Sequence, residues 1–168
     1  VLHVVPDDVS TSALFRENVR RLDPHGLTFD ICMQARQLHL AHELVAACPE
    51  VQFVLDHCGG PDIKGGAFQS WAAGIRDLAR LPNLACKVSG IIVSAAENWT
   101  PADLRPWVEH VVENFGWDRV VWGGDWPVCV LAGGIGAWIR ASDELFAGTD
   151  PADREKLYRA NAARIYRV

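Results

Sequence analysis

A chain of 168 residues, 49% hydrophobic and 22% charged, has enough apolar material for one buried core and too much for a disordered segment. Its net charge of −5 argues against a nucleic-acid partner, whose phosphates it would repel. No apolar run approaches the roughly 20 residues of a membrane span, and the opening residues lack the basic segment of a signal peptide and break at Pro6, Asp7 and Asp8.

The five cysteines, Cys32, Cys48, Cys58, Cys86 and Cys129, are scattered, odd in number and free of any CxxC pair. They read as buried thiols of a reducing, cytoplasmic compartment rather than as disulfides or a structural zinc site. The chain begins at Val1 with no initiator residue, and its only methionine is Met33. Residues 1–5 already look like a strand in full run, so the expectation is that the first part of the protein is missing.

The elements alternate. After the strand at 1–5, Ser10 or Thr11 caps a helix to about Leu22. Leu27–Met33 is a second strand, and residues 37–48 are a second helix with Leu38, Ala41, Leu44, Val45 and Cys48 on one face. Val51–Asp56 is a third strand, followed by His57 and a glycine-rich turn. A helix from about Ala67 to Arg80 places Phe68, Trp71, Ile75 and Leu78 three or four apart. Leu84–Ser89 is a fourth strand, and residues 91–98 read as loop or short helix. Thr100 and Pro101 begin a helix to about Asn114, with Thr as cap and Pro in the first turn. Arg119–Gly123 is a fifth strand. Two helices close the chain, one to about Phe146 and one capped by Asp150.

Five strand–helix alternations with short connections imply right-handed βαβ units and a parallel sheet. No linker or repeat divides residues 1–168, which read as a single domain. The fold class is α/β, either an open doubly wound sheet or the last five units of an eight-unit (β/α)8 TIM barrel. The missing front favours the partial barrel, whose full length is about 250 residues.

In both architectures ligands gather at the C-terminal ends of the strands. The polar residues there are Gln34 and Arg36, His57, Ser89 and Asp125. Asp125 stands in Val-Trp-Gly-Gly-Asp-Trp-Pro, where a buried strand runs into two glycines; a carboxylate in such a place is costly to ionise without a partner. Phe53, Leu55 and His57 share one parity, and Val121, Gly123 and Asp125 share another. If both parities face the barrel interior, His57 and Asp125 meet in one mouth as a base and its partner or as two ligands of one divalent ion. Trp126 is placed to wall a pocket for a ring-shaped substrate, and His3 is a strand residue that reaches the mouth. His39 and His42, three apart on a helix, read as a solvated face; Trp71, Trp107 and Trp138 read as core; Lys87 is left undecided between the interior and the helices.

Three segments carry a family resemblance: Leu55-Asp56-His57-Cys58-Gly59-Gly60-Pro61, residues 81–90 (LPNLACKVSG) and Gly123-Gly124-Asp125-Trp126-Pro127. With the closing Asn161-Ala162-Ala163-Arg164-Ile165-Tyr166, this ordered set resembles the amidohydrolase superfamily, and within it the lactonase-type "amidohydrolase 2" branch. The resemblance implies a distorted (β/α)8 barrel, a small-molecule lactone substrate, and catalytic roles for His57 and Asp125. Arg36, Trp126 and His3 would contact substrate, and His57 with Asp125 would be metal ligands. The branch is not uniform in needing a divalent, zinc-type metal, so that use stays open. Its usual His-x-His pair at the first strand is absent from this sequence, which agrees with missing units; the expectation is therefore hydrolysis by the complete protein, with the site incomplete and these 168 residues alone inactive. Gly124 stands where the branch more commonly has Ser. The rivals are a metal-dependent decarboxylase of the same superfamily and a non-catalytic truncated barrel. The sequence leaves the oligomeric state undetermined.

Overall fold

The computed structural model describes residues 2–168, apart from the side chain of His3. Four short parallel strands form one sheet in the order β1 (Phe29–Ile31), β2 (Phe53–Leu55), β3 (Leu84–Val88) and β4 (Val120–Trp122). Phe29 pairs with Phe53, Phe53 with Leu84, and Cys86 with Val120, so the strands climb in even register. Consecutive strands are neighbours, each joined by a helical crossover, as in a barrel segment.

The strand expected at residues 1–5 is not present over residues 2–5, and Val1 lies outside the described residues. Leu2–Val4 forms one turn of 3-10 helix, and Leu2 donates its amide proton to Cys32 O at 2.9 Å. The segment lies beside the end of β1 without laddering along it, because Pro6 removes a donor and Asp7 turns to the side chains of Arg36 and Gln37. The described residues therefore hold four barrel strands rather than five.

The helices form where spacing and caps dictate. Ser12, rather than Ser10 or Thr11, caps α1 (Ala13–Arg20) by accepting from Phe15 N at 3.2 Å. Next come α2 (Leu38–Ala47) and α3 (Phe68–Ala79). Thr100 and Asp103 make a capping box at the start of α4 (Pro101–Phe115), with Pro101 in its first turn. α5 (Gly134–Leu145) follows, and α6 (Pro151–Glu155) runs through a π-helical turn, Lys156–Ala160, into α7 (Asn161–Tyr166). No helix among the described residues is long and apolar enough to cross a membrane.

Strand alternation sorts the sheet into two faces. Ile31, Phe53, Leu55, Leu84, Cys86, Val88 and Val120 point toward α2–α5, where Trp71, Ile75, Leu104, Val111 and Trp138 complete the core. Trp71, Trp107 and Trp138 are core residues as expected. The opposite face carries Asp30, Val54, Asp56, Ala85, Lys87 and Val121. Ile165, Ala162 and Tyr166 of α7 cover its apolar part. Asn161 fixes that helix by donating to Trp117 O and Val120 O at 2.6 and 2.8 Å. This second face, lined by charge and capped at one end, is the interior of the barrel.

Candidate active site

Two loops at the C-terminal ends of β2 and β4 make the site. After Leu55 the chain enters a left-handed run, with φ of 54° at His57, 52° at Cys58, 72° at Gly59 and 59° at Gly60. Such backbone costs a non-glycine residue about 1–2 kcal/mol, and it persists only where surroundings hold it. Trp71 supplies one restraint, donating its indole proton to Cys58 O at 2.8 Å from within the core. The second loop is built alike: Asp125 has φ of 51°, and the buried Trp138 donates to Gly123 O at 2.8 Å.

This geometry corrects the parity argument. Phe53 and Leu55 face the helices, not the barrel interior. His57 reaches the interior because the left-handed turn reverses its direction, while the thiol of Cys58 is buried and donates to Lys87 O at 3.8 Å. The outcome matches the expectation by another route: His57 Nε2 lies 3.7 Å from Asp125 Oδ1.

Ser89, at the end of β3, sits 2.9 Å from His57 Nδ1, and its hydroxyl can donate to that nitrogen or accept from it according to the ring's tautomer. Gly90 makes the approach feasible. It has φ of 64°, and a Cβ there would stand 2.5 Å from His57 Nδ1 and 2.8 Å from Asp125 Oδ2. The imidazole and carboxylate are 29% and 14% exposed, shielded enough to interact strongly and open enough to meet a ligand.

Below them Lys87 points inward, settling its placement. Its ammonium lies 2.6 Å from Asp30 Oδ2 and 2.7 Å from Asp56 Oδ1, and Tyr166 donates to the same Asp30 oxygen at 2.8 Å. Asp56 Oδ1 is buried and makes no well-directed hydrogen bond, so the ammonium is its compensation. Burial pulls the Lys87 ammonium toward neutrality, yet its bonds to Asp30 and Asp56 outweigh that and hold it well above its usual pKa. Burial pushes the Tyr166 phenol up to about 12. A cavity of about 410 Å³ spans these layers, from His57, Ser89 and Asp125 at the mouth to Lys87 and Tyr166 at the floor. A smaller hollow of about 290 Å³ between α4 and α5 holds none of the strand-end residues.

The remaining expected residues stand apart from the cavity. The Arg36 guanidinium is bonded to Asp7 and to Gln34 Oε1, and its hydrogen bond holds the Asp7 carboxyl below its usual pKa. Trp126 is 74% exposed beside Asp125. The side chain of His3 lies outside the described residues. His39 is exposed and His42 half-buried on α2, as expected of a solvated face. Asp30, Asp56 and Tyr166 are site residues that the sequence reading did not single out. The signal available was a charge at the centre of a short apolar strand, as in Phe-Asp-Ile.

With this geometry in view, comparison with known proteins decides the family. A family model described as amidohydrolase matches residues 1–168. The chain belongs to the amidohydrolase family. It is 33% identical over 150 residues to an L-fucono-1,5-lactonase of Burkholderia ambifaria, covering 86% of this chain and 51% of that protein. A zinc-bound crystal structure of an amidohydrolase from Burkholderia multivorans superposes with a TM-score of 0.91 at 28% identity, over 96% of this chain and 60% of that one. A putative 2-pyrone-4,6-dicarboxylic acid hydrolase from Pseudomonas putida matches with a TM-score of 0.76 at 25% identity, over 96% and 59%. The chain thus spans about half the length of the curated relatives it matches. A partial amidohydrolase barrel, as the sequence suggested, is the architecture.

Proposed function

We propose that this amidohydrolase opens sugar lactones, with Asp125 as the group that activates water. The observation that carries the reading is the convergence of His57 and Asp125, 3.7 Å apart under Gly90, at the mouth of the barrel. The similarity to a fuconolactonase supplies the substrate class. In this reading the Asp125 carboxylate takes a proton from water as the oxygen attacks the lactone carbonyl. The carbonyl π pair moves onto oxygen, and the resulting oxyanion is met by His57 Nε2–H, the tautomer set when Ser89 donates to Nδ1. Collapse breaks the ring C–O bond, and Asp125 returns its proton to the departing alkoxide. The product is a hydroxy acid.

His57 and Asp125 also fit a divalent ion: one nitrogen and one oxygen donor 3.7 Å apart lie close enough to share it. Such an ion, when bound, would supply Lewis-acid polarisation of the carbonyl. His57 would then hold its proton on Nδ1, with the Ser89 hydroxyl, 2.9 Å away, as the acceptor. Trp126 is proposed to wall the sugar ring. Arg36 would serve the substrate only after releasing Asp7. The buried thiols Cys48, Cys58, Cys86 and Cys129 suit a reducing, cytoplasmic setting.

Asp125→Asn tests the reading, assayed with L-fucono-1,5-lactone on the 168-residue chain and on any longer reading frame containing it. The expected loss is about a thousandfold in kcat. Undiminished turnover by Asp125→Asn overturns the mechanism, and release of CO₂ from carboxylated aromatics in place of lactone opening overturns the substrate class.

A further inference from the structure

α5 lies against the stretch of chain that delivers Asp125, and it meets that stretch residue by residue. Ile135, Trp138 and Ser142 are spaced by three and four and so share one face of the helix. Three consecutive residues leaving β4 meet them in reverse order. Trp122 donates its indole proton to Ser142 Oγ at 2.9 Å, and Gly123 O accepts from Trp138 Nε1 at 2.8 Å. A Cβ on Gly124 would stand 2.7 Å from Ile135 Cδ1, so the missing side chain lets the helix come this close. Ser142 passes its own proton to Trp138 O at 2.8 Å, which ties the two buried residues into one chain of hydrogen bonds. We propose that α5 is a splint that aims the Asp125 carboxylate, with Trp138 and Ser142 as positioning residues. The inference rests on the reading of Asp125 as the group that activates water.

The backbone before Asp125 needs such a support. Two successive glycines are the least restricted residues a chain can place there. Asp125 itself has φ of 51°, which a residue with a Cβ keeps only where its neighbours impose it. Upstream, Gly123 N donates to Val88 O at 3.1 Å, and downstream Cys129 N donates to Asp125 O at 2.9 Å. Neither bond reaches the Gly123–Gly124 peptide, whose carbonyl Trp138 holds. A buried indole N–H needs an acceptor, but packing alone does not require this one. Neither Trp138 nor Ser142 is among the residues lining the cavity. Their effect on turnover therefore passes through the direction of Asp125 and not through contact with substrate.

Two variants of the 168-residue chain test the splint. Trp138→Phe keeps a ring in the core and removes the donor. Ser142→Ala removes a single oxygen and serves if the first variant does not fold. Hydrogen exchange followed by NMR should show the Cys129 amide, which reports the Asp125 carbonyl, exchanging about tenfold faster, beyond any change in the amides of β2 and β3. Where the chain opens L-fucono-1,5-lactone, kcat per folded molecule should fall by up to about a hundredfold with KM unchanged. A residue that served packing alone would lower the urea midpoint and leave kcat as it was. Exchange at Cys129 that rises no more than in β2 and β3, in either folded variant, overturns the proposal; so does an unaltered kcat in a variant whose loop has loosened. In a chain without turnover the exchange rates decide. Turnover that survives Asp125→Asn, together with faster exchange at Cys129 in Trp138→Phe, would retain the splint and discard the lactonase mechanism. Turnover lost in Asp125→Asn, with exchange and kcat unaltered in Trp138→Phe, would do the reverse.

Discussion

Gly90 is the residue on which the His57–Asp125 pair depends. A methyl group there meets both partners at under 3 Å and sits on backbone of φ 64°. Gly90→Ala should cost about 1–2 kcal/mol in thermal unfolding and about a hundredfold in lactone turnover, since displacement by an ångström is enough for that. Wild-type stability and rate together would show that the close approach is not needed. His57 and Asp125 were legible in the sequence because each stands beside glycines at the end of an apolar run. The route by which His57 reaches its partner was not, because alternation holds only while the strand continues, and the left-handed turn begins at once after β2. Asp30, Asp56 and Lys87 were hidden for a different reason. Their meeting depends on register between strands, and nothing in a single strand's composition sets the register of its neighbour.

Between elements, Asn83 ties three pieces of chain together. Its side-chain amide lies 3.3, 3.2 and 3.1 Å from the carbonyls of Val45, Cys48 and Val51, fastening the end of α2 to the approach to β2 and β3. Asn83→Ala should lower stability to urea by about 1–2 kcal/mol, because buried carbonyls lose their donor. Asn83→Asp should cost more by turning an acceptor toward acceptors; equal stability of all three would exclude the role. The helices themselves were read closely, since Thr100, Pro101 and the apolar spacing of α2 and α3 act locally. The strand expected at residues 1–5 failed because an apolar run can ladder only where its backbone donors face a partner, and the chain turns after Val4. Fold class survived that error, as β1–β4 still pair in parallel and in sequence.

Over the whole molecule, the inner face links titration to folding. The folded state holds the Lys87 and Tyr166 protons more tightly than the unfolded chain, so rising pH removes protons from the unfolded state first. The share of stability due to these two groups should be flat up to about pH 10, their ordinary range, and fall from there toward the Tyr166 value of about 12, following an earlier decline from about pH 8.5, where burial holds the protons on Cys32, Cys48 and Cys86 while the unfolded thiols ionise. Tyr166→Phe should flatten the phenol's share of that decline while leaving the share due to Lys87. A decline of the same slope in both chains, followed by urea unfolding across alkaline buffers, would show that the phenol is not involved.

The Tyr166–Asp30 bond joins positions 136 residues apart. During synthesis the phenol leaves the ribosome only after all four strands have emerged. Until then the inner side of the nascent sheet has water where α7 will sit, and Val54, Ala85 and Val121 are open to chaperones or to strands of neighbouring nascent chains. The helix that shuts the floor of the cavity is thus also the one that ends this vulnerable interval.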